Sequence, residues 1–383
     1  MGWSPFRALG LTHHDPSRSF KGYTLLTPLG GKDVLLLDMR GRIVHRWFTE
    51  GVEASYARLL NDGHLLLTCD SRKKGKRPGS PKEFWALPLE RRVMWMGGGY
   101  DTLREYTWEG EVVWEHTDHM LHHDVKPLAN GNILLSRWVE LDEGLANSVR
   151  GGRHPRRKRG MFSDVIFELT QRGEEVNVIE VAALFDPSKD PVGVLGDRIE
   201  WTHTNSLDTN DAGDVLFSSP ANSRVSIVDK TTRKLRWKFD KTHAQHDARF
   251  LDNGNVLVFD NHSGGSGSPE SRVVEIDVES NEIAWEYKGN PSLSFFSPFV
   301  SGAERLPNGN TLICEGSSGR VFEVTRTREI VWEWVNPFVN SFGREQASYL
   351  FRPHRFAPDH PALADKNLDP NAHKAFNQLY GLM

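Results

Sequence analysis

Histidine is the side chain whose unperturbed pKa lies nearest neutral pH, so a set of imidazoles can supply nucleophiles, acids, bases or metal ligands. The chain carries 16 of them. Three stand in related phrases: His123 in HHDVKPLANGN (122–132), His246 in QHDARFLDNGN (245–255) and His203 in HTNSLDTNDAG (203–213). Counted back from the turn glycine, His123 and His246 occupy one place, eight residues before Gly131 and Gly254. Asn205 holds that place before Gly213, with His203 two residues earlier, and Ser55 and Ser301 hold it before Gly63 and Gly309. A place that recurs at fixed spacing in repeated units is expected to recur in space. His123, His203, Asn205 and His246 are therefore expected to ring one pocket of a few hundred Å3. Asp124 and Asp247 follow their histidines directly. Neighbours in an extended strand face opposite ways, so these carboxylates are expected to take backbone or cross-blade hydrogen bonds instead of orienting the adjacent ring. His13, His14, His64, His154 and His373 read as surface or satisfied residues, and His45 as a packing residue.

What positions these side chains is a repeat. SYARLLNDGHLLL (55–67) and SGAERLPNGNTLI (301–313) share the plan of the three histidine phrases: mixed polarity, Asn-Gly or Asp-Gly turn chemistry, then an alternating apolar run. This is the signal of two strands joined by a turn that needs positive φ. A second phrase follows each: GRIVHRW (41–47), GEVVWEH (110–116), EEVNVIEV (174–181), RKLRWKF (233–239), NEIAWEY (281–287) and REIVWEW (328–334). A third strand, such as SRVSIVD (223–229) or SRVVEID (271–277), precedes several of them. Six units of three or four strands predict an all-β, six-bladed β-propeller. A short helical tail is expected near AHKAFNQLYG (372–381). Residues 1–383 read as a single domain, its ring closed by residues near 20–40 pairing with 349–360, which removes open sheet edges. The insertions 70–99, 139–162 and 262–270 are expected to project from blade ends, and Trp114, Trp237, Trp285 and Trp332 to pack between blades.

Composition sets limits. A hydrophobic fraction of 38%, 26% charged residues and a net charge of −4 describe an ordinary globular chain and argue against general nucleic-acid binding. RGGRHPRRKRG (150–160) reads either as a solvated loop or as an electropositive rim that steers an anionic substrate. The N-terminus lacks the apolar core and cleavage site of a signal peptide, and no run approaches the roughly 18 apolar residues of a membrane span. No membrane association and a cytoplasmic location are expected. Cys69 and Cys314 each lie in an apparent strand and read as buried thiols.

The phrases HHDVKPLANGN, EWTHTNSL, QHDARFLDNGNVLVFDN and the WEW-type strands together resemble the arylsulfotransferase (aryl-sulfate sulfotransferase) family of six-bladed propellers, over roughly residues 20–360. The resemblance implies transfer of a sulfuryl group from an aryl sulfate to a phenolic acceptor, without a nucleotide donor and through a sulfo-histidine. By motif it makes His246 the nucleophile. His203 and Asn205 would bind and polarise the sulfuryl oxygens, and His123 or His122 would be a further channel histidine. The residue types suit that chemistry: a neutral imidazole is a competent nucleophile, and the sulfuryl oxygens need donors. The expected substrate is a small aromatic or anionic molecule, with no cofactor.

Two departures stand beside the resemblance. Family members carry an Arg soon after a Ser-Ser pair, where FSSPANSRVSIVD has Pro220. Arg224 follows four residues later, at the place shared with Arg272 and Arg320, and is the candidate replacement for that charge clamp. His262 in FDNHSGG adds an imidazole, and His243 and His354 (in RPHRF) complete the candidates. Converging imidazoles also suit a divalent metal. A metal-dependent lyase or hydrolase using these histidines as ligands, or a non-catalytic binding propeller, are the alternative readings.

Overall fold

A computed structural model describes residues 8–72, 78–153, 160–194, 196–262, 269–342 and 345–382. Its main-chain architecture is a six-bladed β-propeller with few, short helices. Contacts divide the chain into two compact units of three blades each. One unit comprises Met1–Ser71, Leu103–Glu115 and Tyr287–Met383, and the other Arg72–Thr102 and His116–Glu286.

In the first unit one blade is built from both ends of the chain. Its strand order is His354–Phe356, Tyr23–Leu26, Asp33–Leu37 and Ile43–Phe48, with His354 opposite Leu25 and Phe356 opposite Tyr23. A second blade runs Glu53–Leu59, Leu65–Asp70, Thr102–Tyr106, Val112–Thr117. The third runs Gly302–Arg305, Thr311–Glu315, Arg320–Val324, Ile330–Val335, and Gly10–His14 adds a fifth strand at its edge. Arg355 binds this unit from within: its Nε donates to Thr24 Oγ1 at 2.7 Å, and its guanidinium lies 3.5 Å from the equally buried Glu323. Burial pulls the pKa of Arg355 down to about 10 against the pull of Glu323 and Glu304.

The second unit holds the three histidine phrases. Its blades run Leu121–Pro127, Ile133–Glu140, Phe162–Leu169, Glu175–Glu180; then Ser206–Thr209, Asp214–Ser219, Arg224–Asp229, Leu235–Phe239; then His246–Phe250, Val256–Asp260, Arg272–Asp277, Glu282–Lys288. The middle strands are apolar on both faces, as in Val256–Asp260, where every residue is buried. Each such side chain contributes roughly 1.5–3 kcal/mol on burial.

The turn glycines Gly63, Gly131, Gly213, Gly254 and Gly309 all have φ between +82° and +88°. In the hairpin at Gly131, Leu128 N–H bonds to Asn132 O and Gly131 N–H to Leu128 O, so a three-residue loop ends in a left-handed residue. Any other residue type would be strained there. The first strands of successive blades are laced by side chains. Asp124 Oδ2 accepts from Leu207 N–H at 2.9 Å, Ser206 Oγ from Ala248 N–H at 2.9 Å, and Asp208 Oδ2 from Phe250 N–H at 2.9 Å. Asp124 is thus the structural acceptor its position led us to expect. Asp247 takes Arg249 Nε at 2.9 Å.

Two members of the tryptophan column, Trp332 and Trp237, reach an adjacent blade, to different depths. Trp332 is fully buried and donates to Met39 O, whereas Trp237 is half-buried and donates to Asn281 Oδ1. His45 stacks on Trp108 at 4.0 Å, and burial lowers its pKa to about 4, which keeps it a neutral packing residue. Cys69 and Cys314 are buried and belong to no disulfide. The insertion after Asp70 forms two short helices, Pro81–Ala86 and Leu89–Val93. Phe84, Val93 and Met96 there cluster with Trp138 and Phe162. The tail ends in the helix Lys374–Leu379, where Asn377 accepts from Ile43 N–H and donates to Ile43 O. No helix among the described residues is long and apolar enough to cross a membrane.

Candidate functional site

The strand Leu121–Pro127 is bulged where it carries its histidines: the register against its neighbour slips between Leu135 and Arg137, and His123 has φ +59°. A bulge re-aims side chains out of the alternating pattern. His122 and His123 therefore meet, Nδ1 to Nδ1 at 2.9 Å. His122 is fully buried, stacked on Trp138 at 4.3 Å, and its Nε2 lies 3.2 Å from Asp164 Oδ1, close enough to pair although bent out of line for a full hydrogen bond. With the His122 proton on the side of Asp164, Nδ1 of the neutral ring is an acceptor. His123 is then the donor, and its own Nε2 keeps the lone pair. The ring of His123 lies against Gly98: a Cβ there would stand 2.1 Å from Nε2, and Gly98 has φ +78°.

His203, also in the left-handed region at φ +62°, brings its ring to 4.4 Å from that of His123. Its Nδ1 is 2.6 Å from Glu200 Oε1, the same oxygen that accepts from Trp138 Nε1 at 2.6 Å. Burial disfavours the His203 cation, but the charge and hydrogen bond of Glu200, helped by Asp164, outweigh it and raise the pKa above its ordinary 6.5. Asp164 Oδ2 takes Thr202 Oγ1 and Thr204 N–H, each at 2.7 Å. Burial would raise the pKa of Asp164, yet His122 and these donors hold it below the ordinary range.

His246 opens the neighbouring first strand, which is bulged in the same way, with Asp247 at φ +56°. Its Nδ1 faces two acceptors, Asn261 Oδ1 at 2.8 Å and Ala244 O at 3.1 Å. Nδ1 must carry the proton, so in the neutral ring Nε2 is the nitrogen with the lone pair. Asn205 ties this strand to the His203 segment through Nδ2 and Gln245 O at 2.9 Å. The structure thus brings His122, His123 and His203 together ring to ring and joins His246 to them through Asn205 and Gln245.

The sequence profile of the family described as Arylsulfotransferase (ASST) matches residues 89–337, more than half of the chain. The chain belongs to the arylsulfotransferase family. None of the curated proteins matches it. Among solved structures it is similar to a protein of unknown function from Bacteroides caccae, with a TM-score of 0.53 at 15% identity, over 88% of this chain and 99% of that one. It is also similar to a streptogramin B lyase (TM-score 0.47, 13% identity, 91% and 93% covered). A virginiamycin B lyase from Staphylococcus aureus follows (0.42, 10%, 79% and 84%). The first likeness concerns the fold, and at their scores the other two carry no argument.

In this member of the arylsulfotransferase family the candidate charge clamp is already paired. Arg224 gives Nε to Asp190 Oδ1 at 2.8 Å, Nη1 to the carbonyls of Asn222 and Ser223, and Nη2 to Lys189 O. Its guanidinium is spent on Asp190 and on backbone carbonyls. His262 lies with Nδ1 4.0 Å from Asp260 Oδ2 and its ring 5.3 Å from that of His243; Asp260 raises its pKa against burial. His354 belongs to the other compact unit, where Nε2 meets Tyr56 Oη at 2.6 Å and Nδ1 meets Glu304 Oε2 at 3.1 Å. Of the basic stretch 150–160, residues 154–159 lie outside the described residues, and Arg153 pairs with Asp197. Among the described residues, the three-donor group able to hold a metal ion is Asp62, His64 and Glu105, with ligand atoms within 4.8 Å of one another; it contains none of the predicted histidines.

Five residues of this arrangement escape repeat counting: Gly98, Trp138, Asp164, Glu200 and Asn261. Two left a trace in the sequence. Glu200 stands three residues before His203 in EWTH, and Gly98 sits in the run Gly97–Gly99.

Proposed function

We propose that this chain moves a sulfuryl group from an aryl sulfate to a phenol through a sulfo-histidine on His246. The observation that carries the reading is the His246 ring, whose Nδ1 proton is committed to Asn261 and Ala244 while Nε2 holds the lone pair. Family membership supplies the reaction class. Nε2 attacks sulfur, the S–O(aryl) bond breaks, and the phenolate leaves with its electron pair. The N-sulfo ring gains positive charge, which the Nδ1–H donated to Asn261 Oδ1 helps to stabilise. In the second half an acceptor phenol gives up its proton, its oxygen attacks sulfur, and the N–S bond breaks to restore the imidazole. His123, with Nε2 unprotonated and backed by His122 and Asp164, serves as the base for that proton. His203 meets the sulfuryl oxygens, and Asn205 holds the two segments in register.

The test is an assay with a chromogenic aryl sulfate and a phenol acceptor. Turnover is expected without added metal or nucleotide. Donor without acceptor should leave a mass increase of one sulfuryl group on the peptide containing His246. His203→Ala should slow transfer by roughly ten- to a thousandfold. Activity that vanishes on chelation and returns with a divalent metal would instead favour a metal-dependent lyase or hydrolase.

A further inference from the structure

Sulfuryl transfer places three oxygens and a leaving group against the protein, and a cation is the strongest partner for them. Arg224, the candidate charge clamp, is committed to Asp190 and three backbone carbonyls. Among the described residues of the cluster, the group held against a carboxylate and so placed to carry positive charge is His203. We propose that Glu200 holds His203 doubly protonated, so that this imidazolium is the anion clamp of the site and Glu200 is its positioning residue. The proposal rests on the sulfuryl-transfer reading for its substrate, but not for the coupling between the two side chains.

The geometry is a built one. Glu200 cannot swing away from His203, because the same Oε1 is held by Trp138 N–H, a donor with no acceptor role, and Trp138 is itself packed among Phe84, Val93, Met96 and Phe162. His203 reaches that carboxylate with its backbone at φ +62°, a conformation that is strained for a residue with a Cβ. Strain of this kind persists where surrounding structure demands it. Among the described residues, the charged and titratable groups that face His203 are Glu200 from its own segment, Asp164 from Phe162–Leu169, and His123 backed by His122 from Leu121–Pro127. The Gly97–Gly98 segment approaches from the remaining side and adds no charge; a Cβ on Gly97 would lie 4.0 Å from His203 Cε1. Two carboxylates against three imidazoles leave room for a stable cation, and the ring with the short carboxylate bond is the one that takes it.

A histidine-labelled sample titrated by NMR, with inorganic sulfate as the probe, decides the matter. In the wild type, His203 should deprotonate above its ordinary range. Sulfate should shift the His203 signals and bind more weakly as pH rises through that transition. Glu200→Gln keeps an acceptor for Trp138 but removes the charge. It should move the His203 transition and the alkaline limit of sulfate binding to lower pH, and Glu200→Asp should restore part of both. With an aryl sulfate, Glu200→Gln should lose about ten- to a hundredfold in kcat/KM near neutral pH and recover as the pH is lowered. A His203 that titrates identically in wild type and Glu200→Gln overturns the proposal, as does sulfate binding indifferent to pH. If Glu200→Gln fails to fold, the wild-type titration decides alone: a His203 transition at or below the ordinary value overturns it. A wild type with no aryl-sulfate turnover sinks the transfer reading, while the titration and sulfate arms still judge the Glu200–His203 pair.

Discussion

At the scale of single residues, the site separates its imidazoles by their partners. His246 faces two acceptors and is held as the Nδ1–H tautomer; His203 faces a carboxylate that favours its cation; His122 lies between His123 and Asp164. Similar rings thereby acquire different tasks. Replacing His246 by Asn should abolish aryl-sulfate turnover and trapped sulfuryl mass, with the β-rich circular dichroism and the thermal midpoint nearly unchanged; retained activity would exclude His246 as the acceptor. The same partners make stability depend on pH. The folded pKa of His203 lies above 6.5, so its contribution is complete below about 6.5 and is lost as pH rises through the folded value. The pKa of Asp164 is depressed below 3.8, so its contribution is present above that value and disappears as pH falls through the folded one. Denaturation midpoints measured across pH should therefore fall on the alkaline side for the wild type, and this fall should shrink in Glu200→Gln.

At the scale of elements, the histidines depend on irregular backbone. A regular strand would send His122 and His123 to opposite faces, and the bulge at φ +59° is what lets their Nδ1 atoms meet. The facing segment must then be smooth, and Gly98 is the critical point. Gly98→Ala places a methyl group 2.1 Å from His123 Nε2 at a backbone φ of +78°. The ring has to move, and we expect a stability loss on the order of 1–3 kcal/mol in urea denaturation. The same variant should lose turnover far beyond what that loss explains. A Gly98→Ala protein with wild-type kinetics would show that the His123 ring position is irrelevant to the reaction.

At the scale of the molecule, the ends of the chain meet within one blade, and the buried Arg355–Glu323 pair sits at that junction. Removing one member of a buried pair leaves the other charge without compensation, at a cost of about 3–5 kcal/mol. Arg355→Met should lower the unfolding free energy by that order, and adding Glu323→Leu should recover most of it. If the double variant is as unstable as the single one, the closing strand His354–Phe356 depends on the arginine's bonds to Thr24 and Phe20 O instead of on charge balance.

Sequence by itself determined the repeat and much of its geometry. Alternating strands around Gly63, Gly131, Gly213, Gly254 and Gly309 announce blades, because only a left-handed residue closes such turns, and glycine adopts that conformation without strain. The recurring place before each turn picked out His123, Asn205 and His246, since a repeat repeats its positions as well as its strands. What the repeat could not carry is anything that breaks its period. Only the tertiary structure decided that Arg224 is spent on Asp190 and that His354 pairs with Tyr56 and Glu304. It alone decided, too, that Glu200, Asp164 and Asn261 set the protons on the histidines. A tautomer or a charge is set by the polar atoms a ring nitrogen faces at close range. Those atoms come from a bulge, an insertion or another strand, at a sequence distance that no local spacing encodes.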